Sequence, residues 1–290
     1  MTTRVELMAV GRRSAFALAV ASAAGLLAFG WPLVISAESA LAQATLAPVV
    51  LAGVLAAVLV VLHLVLAEGG LDVKAVALLG LLSAVGAVLR PLSAGTAGIE
   101  LVFIVIVIGG RVAGPGFGFA LGSTTLFASA LLTGGVGPWL PYQMLAAAWV
   151  GLGAGLLPGR FRMRGWPELG LLAGYGVVAA LGYGLVMNLA FWPFQLGSGT
   201  GLSFVAGDPV LTNLHRFLLY DIATSLGWDV GRAVTTATGL LVLGAPVLAA
   251  LRRTTSGALF RPSVDSVTDR QPIGASPVPD PDAEVPSTSR

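Results

Sequence analysis

The sequence predicts an all-α integral membrane protein, a bundle of about eight transmembrane helices with its N- and C-termini cytoplasmic. Three observations carry that prediction. Of 290 residues, 56% are hydrophobic and only 10% charged, and the mean hydropathy is +0.89; a soluble domain carries roughly 25% charge and about 45–50% apolar residues. The apolar residues form long continuous runs, whereas a membrane β-barrel alternates over strands of about ten residues. Arginine and lysine gather on alternate connections between the runs, as the positive-inside rule requires. An ordinary soluble enzyme and a disordered chain are excluded, and with no cysteine so is a disulfide scaffold.

A helix crosses the hydrocarbon core with about 20 apolar residues. The first run extends from Ser14 to Ile35 without a charge, and the second from Leu46 to Ala67, with Thr45 and Pro48 as start signals. A third spans Lys74 to Leu89 and is closed by Arg90 and Pro91; a short fourth spans Ile99 to Ile108. Between Arg111 and Arg160 there is no charge, and Gly134, Gly135, Gly137, Pro138 and Pro141 divide the stretch into Pro115–Leu132 and Tyr142–Leu157. The last two runs are Leu169–Phe191 and Val230–Leu251. With the N-terminus inside, Arg4, Arg12, Arg13, Lys74, Arg111, Arg160, Arg162, Arg164, Arg252 and Arg253 are cytoplasmic, against Arg90, Arg216 and Arg232 outside. Trp31, Trp139, Trp192 and Trp228 fall near the outer interface and Trp166 near the inner one.

The two ends differ in character. Arg12-Arg13, the first apolar run and Ala40-Leu41-Ala42 imitate a cleaved signal peptide, but the run is longer than the roughly 7–15 residues of a signal core, which favours a retained anchor. From Thr254 onward prolines mix with Ser, Thr and Asp, the composition of a disordered cytoplasmic tail.

Stripes of small residues recur at four-residue spacing: Ala147, Gly151 and Gly155; Gly176, Ala180 and Gly184; Gly118 with Gly122; Gly80 with Ala84. In lipid such stripes let helix backbones approach closely. Most are expected inside the bundle, and a minority on a face that docks another subunit.

Catalytic and energy-coupling signatures are missing. Gly114-Pro115-Gly116-Phe117-Gly118 lacks the Lys and Ser/Thr of a phosphate loop, and no HExxH or GxSxG is present. His63 and His215, the two histidines, stand apart and do not make a metal site, and no basic stripe points to nucleic acid. Ion-coupled transporters place ionisable groups near the midplane; here only His63 and Glu100 come into question. Polar and aromatic residues concentrate on the outer side instead. Arg90 and Glu100 flank one loop, Trp139, Tyr142 and Gln143 open a helix, and Asn188, Trp192 and Gln195 end another. A loop of about 35 residues, long for a compact domain, adds His215, Tyr220, Asp221, Trp228, Asp229 and Arg232. Amides, aromatics and paired charges on one face suit a cavity for a polar, ring-containing ligand.

Gly134-Gly135-Val136-Gly137-Pro138-Trp139-Leu140-Pro141-Tyr142-Gln143-Met144-Leu145, followed by a Gly-rich helix, resembles the substrate-binding S components of energy-coupling factor (ECF) vitamin transporters. So do the small-residue helix ending in Leu89-Arg90-Pro91 and the segment Trp228-Asp229-Val230-Gly231-Arg232-Ala233. The resemblance implies a six-helix S-component-like bundle over residues 74–253, preceded by two additional transmembrane helices within 1–73 and followed by the tail, 254–290. It implies a non-enzymatic, plasma-membrane receptor that needs no cofactor, binds a vitamin or related micronutrient outside, and works with a T component and two ABC-type ATPases. Among members, those proposed to carry cobalamin look most alike. On this reading Arg90, Glu100, Trp139, Tyr142, Gln143, Asn188, Trp192, Asp221, Trp228, Asp229 and Arg232 are the substrate-binding candidates. The family's Ala-xxx-Ala docking motif has its nearest equivalents on the first core helix in Gly80, Ser83, Ala84 and Ala87, while strict pairs occur at Ala24/Ala28 and Ala52/Ala56 in the added helices. A small self-sufficient secondary transporter is the alternative, and a membrane enzyme acting on lipid through Arg90, Glu100, Asp221 and Asp229 a more distant one.

Overall fold

Every apolar run expected to cross the bilayer is helical in the computed structural model, which describes residues 7–8, 10–39, 47–68, 73–93, 98–159, 162–196 and 199–256. In chain order the helices are α1 (Arg12–Phe29), α2 (Trp31–Val34), α3 (Ala47–Glu68), α4 (Val73–Ser93), α5 (Val102–Ala113), α6 (Pro115–Thr133), α7 (Leu140–Leu156) and α8 (Trp166–Phe191). After α8 come a 3-10 turn over Trp192–Phe194, α9 (Val210–Thr224) and α10 (Leu226–Ser256). Among the described residues there is no strand. Arg12–Phe29, Val73–Leu92, Pro115–Thr133, Trp166–Phe194 and Leu226–Thr255 are long and apolar enough to cross a membrane; Val49–Leu64 and Val102–Ala113 are shorter apolar helices. The signal-like Ala40-Leu41-Ala42, Arg160 and the Pro-rich segment 257–290 lie outside the described residues.

Four boundaries differ from expectation. The first run breaks at Gly30, and α2 turns Trp31 inward so that its indole N–H donates to Ala190 O at 3.0 Å. α4 continues through Pro91 to Ser93, although the proline has no N–H to donate to the carbonyl four residues back. α10 starts at Leu226, which draws Trp228 and Asp229 into its first turn, where a carboxylate faces the positive end of the helix dipole. The long outer loop is not structureless: Val210–Thr224 within it is helical.

The short α5 is the axis of the bundle. Val102 through Arg111 is buried at nearly every position, and α5 meets α4, α6, α7, α8 and α10; a helix apolar all round belongs inside. Its link to α6 is one residue, Gly114, at φ 109°, a conformation that favours glycine. Gly134, at φ 67°, caps the other end of α6 in the left-handed region.

The small-residue stripes bind the bundle. A Cβ at Gly151 of α7 would run into the backbone of Gly118 on α6, and one at Gly122 into the backbone of Ala147. Gly155 lies equally close to Gly114 and Pro115. Gly176 packs on Thr236 and Leu240 of α10, and Gly184 on the Asp229 carboxylate. Backbone approach of this kind gives the dispersion contact that lipid-embedded helices need in place of a hydrophobic drive. The α4 stripe divides. Gly80 and Ala84 are exposed with nothing against Gly80, whereas Ala87 is buried and Ser83 is buried on α6, its Oγ 2.7 Å from Thr124 Oγ1. The expected docking face therefore loses Ser83 and Ala87.

The added helices lie against α7 and α8. Gly25 seats Leu145 and Trp149, Phe29 packs on Tyr142, and Trp149 Nε1 donates to Ser22 Oγ at 3.0 Å. α3 is tied to α6 through His63, whose Nε2 lies 2.9 Å from Ser123 Oγ. His63 thus pairs within the bundle.

At the end of the bundle opposite the candidate site, Arg111 and Glu168 form an ion pair of 2.8 Å with both side chains almost fully buried. Arg252 joins the same carboxylate oxygen at 2.6 Å, and Arg111 also donates to Leu157 O and Pro158 O. Two of the arginines expected in cytoplasmic loops are thus structural charges that tie the ends of α5, α7, α8 and α10. Their partner, Glu168, drew no attention in the sequence.

Candidate functional site

A cavity of about 350 Å³ opens at the end of the bundle where α4, α6 and α10 meet the segment leading into α5. It is lined by Arg90 and Pro91 of α4, Gly98, Ile99 and Glu100 ahead of α5, Ser129 and Thr133 of α6, and Trp228 and Arg232 of α10. α4 and α6 end here and α10 begins here, so residues near helix termini converge. Gly98, at φ 75°, lets its segment press on the Trp228 backbone, where a Cβ would collide.

Arg232 organises the electrostatics. Its Nε donates to Glu100 Oε2 at 2.5 Å and its Nη1 to Asp229 Oδ1 at 2.6 Å. The guanidinium carbon lies 5.2 Å from the Tyr183 ring centroid and 6.0 Å from that of Phe103, a cation–π cradle. One arginine shared by two carboxylates leaves a net negative charge, and the Arg90 guanidinium lines the same cavity. Arg90 Nη2 donates to Gln143 Oε1 at 3.2 Å. Gln143 does not line the cavity; it positions Arg90.

Beside this group, Asn188 Nδ2 donates to Asp221 Oδ1 at 2.7 Å, one turn along α8 from the Gly184–Asp229 contact. The structure therefore joins Arg90, Glu100, Gln143, Trp228, Asp229 and Arg232, with Asn188 and Asp221 adjoining.

Three candidates stand apart. Tyr142 is buried in the core, packed edge-on against Phe29 and Phe191 at 5.2 and 5.0 Å. Its aromatic ring serves the contact with α1, not the cavity. Trp192 is fully buried in a separate cluster with Phe204, Phe217 and Tyr220, its indole N–H donating to Leu202 O at 2.8 Å. Trp139 is exposed and closes its own turn by donating to Gly135 O at 3.2 Å. Trp31 and Trp192 are thus core residues rather than members of an outer aromatic belt, while Trp139, Trp166 and Trp228 remain exposed.

The Trp192 cluster forms a small second core beneath α9. Asn213 clamps the Val205 backbone through both N–H and carbonyl, and Arg216 pairs with Asp208 at 2.6 Å. Burial in this cluster pushes the Tyr220 phenol above its ordinary pKa, and the nearby Asp221 charge adds to the effect. His215, on the outer side of α9, is exposed.

Ser129, Thr133, Gly98 and Ile99 line the cavity without having been singled out in the sequence, and Tyr183 and Phe103 support it unannounced. The available signal was a lone serine in an otherwise apolar stretch, residues 126–132. Among the described residues no three His, Asp or Glu side chains gather where a metal ion could be held.

Residues 74–250 match the family described as ECF transporter, substrate-specific component. No curated protein and no solved structure matches the chain.

Proposed function

The chain belongs to the family of ECF transporter substrate-specific components, and on that premise we propose that it captures a vitamin or related micronutrient at the outer face of the plasma membrane. It is a multi-pass, substrate-specific transporter subunit rather than an enzyme. In our reading a separate T component and two ABC-type ATPases complete the importer. Residues 74–253 are then the substrate-binding core, 1–73 an added helical pair and 254–290 a cytoplasmic tail.

The observation that carries the reading is the cavity itself: charged and aromatic side chains from separate helices meet at one end of a bundle whose sequence has no phosphate loop. Within it we assign Arg90, Glu100, Trp228 and Arg232 to substrate contact, Gln143 and Asp229 to positioning, and Asn188 and Asp221 to the adjoining wall. The sequence resemblance leans to a cobalamin-like substrate. A volume of about 350 Å³ lies at the small end of the range for drug-sized ligands, which favours a more compact vitamin.

Mass spectrometry of small molecules released from the purified protein tests this function directly. A vitamin in stoichiometric amount supports it; ion-driven accumulation of solute by the lone protein in liposomes overturns it in favour of a self-sufficient transporter. Gln143→Leu removes one hydrogen bond from Arg90, and ligand affinity is expected to fall roughly tenfold, the scale of one lost hydrogen bond to a charged group. Membrane expression should stay normal. Unchanged affinity would remove Gln143 from the site.

For the partner, the exposed Gly80–Ala84 face of α4, flanked by exposed Leu81, Val85 and Val88, is the docking surface we assign to the T component. Gly80→Leu is expected to keep ligand binding and to abolish co-purification with a co-expressed T component. Retained co-purification shifts docking elsewhere, the added helices included.

A further inference from the structure

We propose that Ser129 is a ligand-contacting residue, and that the ligand presents to it a neutral hydrogen-bonding edge, such as a ring amide or ring nitrogen, on a flat ring system. This deepens the reading of the cavity as the substrate site and rests on it.

Serine and threonine hydroxyls buried in a helix ordinarily return their proton to a carbonyl three or four residues back. Ser123, Thr124 and Thr133 of α6 do so, onto Phe119 and Ala120, Ala120, and Ser129 respectively. Ser129 and Thr125 break that pattern: both are fully buried and neither hydroxyl has a hydrogen-bond partner. Of the two, only Ser129 lines the cavity. Native proteins keep few such orphans, since the group has lost its water and gained nothing in exchange. A hydroxyl moves between staggered positions by rotation about one bond, so a group entering the cavity can supply the missing partner.

The surroundings fix the kind of group. The Arg232 charge is taken up by Glu100 and Asp229, and Arg90 is held by Gln143. An uncharged hydroxyl beside charges that already have protein partners suits a neutral donor or acceptor. One turn outward of Arg232, Trp228 is half-exposed at the cavity wall and offers its indole face to a flat ring.

The test is thermal unfolding of the purified full chain in detergent, alone and with riboflavin, thiamine, biotin and cyanocobalamin as probes, for wild type, Ser129→Ala and Gln143→Leu. Without probe, Ser129→Ala is expected to melt at or above wild type, because an unpaired buried hydroxyl has been removed. With the probe that stabilises wild type, its Kd should rise roughly tenfold. A lower apo melting temperature for Ser129→Ala overturns the inference, since the hydroxyl would then be structural. A probe response unchanged in Ser129→Ala but weakened in Gln143→Leu overturns the role of Ser129 and leaves the site standing. Failure of all four probes to shift the wild type overturns the site for this vitamin class, and the Ser129 inference with it.

Discussion

Glu168→Leu is expected to cost the fold about 3–5 kcal/mol, the penalty for removing one partner of a buried ion pair. Arg111 is fully buried, and its charge is met by the Glu168 carboxylate, which also holds Arg252. Without that carboxylate the carbonyls of Leu157 and Pro158 still accept hydrogen bonds from Arg111, but the negative charge it pairs with is lost. Chemical denaturation in mild detergent reads the loss. Arg111→Met in the same chain should recover much of it, because an apolar replacement of the whole pair is often near neutral. A single Glu168→Leu variant within about 0.5 kcal/mol of wild type, the range of ordinary surface substitutions, would show that the cluster does not hold this end together.

Gly151→Val is expected to be at least as damaging. Overpacking typically costs about 1–3 kcal/mol when side chains can shift; here the obstacle is the Gly118 backbone, which cannot move without separating α6 from α7. Loss of monodisperse protein in size-exclusion chromatography is the expected readout. Gly174→Val is the matched control, since Gly174 is exposed on α8 with nothing near its Cβ position, and it should leave the melting temperature within error. Equal behaviour of the two variants would refute the close approach of α6 and α7.

The membrane helices were legible because lipid imposes a strong, one-dimensional signal: about 20 apolar residues in a row. α9 escaped that signal. Val210–Thr224 carries Asn213, His215, Arg216 and Asp221 among its apolar residues, too polar for a span, and its helicity depends on Phe217 and Tyr220 finding Trp192 to pack against. The short α5 was readable as a helix, but not as the axis of the bundle, since burial on all sides depends on which neighbours surround it.

The candidate site was legible in part for a similar reason. Arg90, Glu100 and Arg232 are costly residues near a bilayer and stand out in sequence, and the fold brings them to one cavity. Tyr142 and Trp192 looked equivalent to Trp228 because an aromatic near a helix end reads the same whether it faces inward or outward. Phe29 claims Tyr142, and Phe217 helps to claim Trp192, from segments remote in the chain. Ser129 went unremarked because one hydroxyl among several on a helix is ordinary until its carbonyl partner proves to be missing.

The sequence by itself determined that this chain is a helical membrane protein, where its helices run and which family it resembles, because hydropathy, glycine spacing and short motifs are local properties of the chain. Only the tertiary structure decided which small-residue stripes face other helices, which arginines carry the fold and which line the cavity. Those outcomes depend on the rotation of each helix about its own axis, and that rotation is fixed by contacts between residues far apart in sequence, such as Gly118 with Gly151 and Glu100 with Arg232.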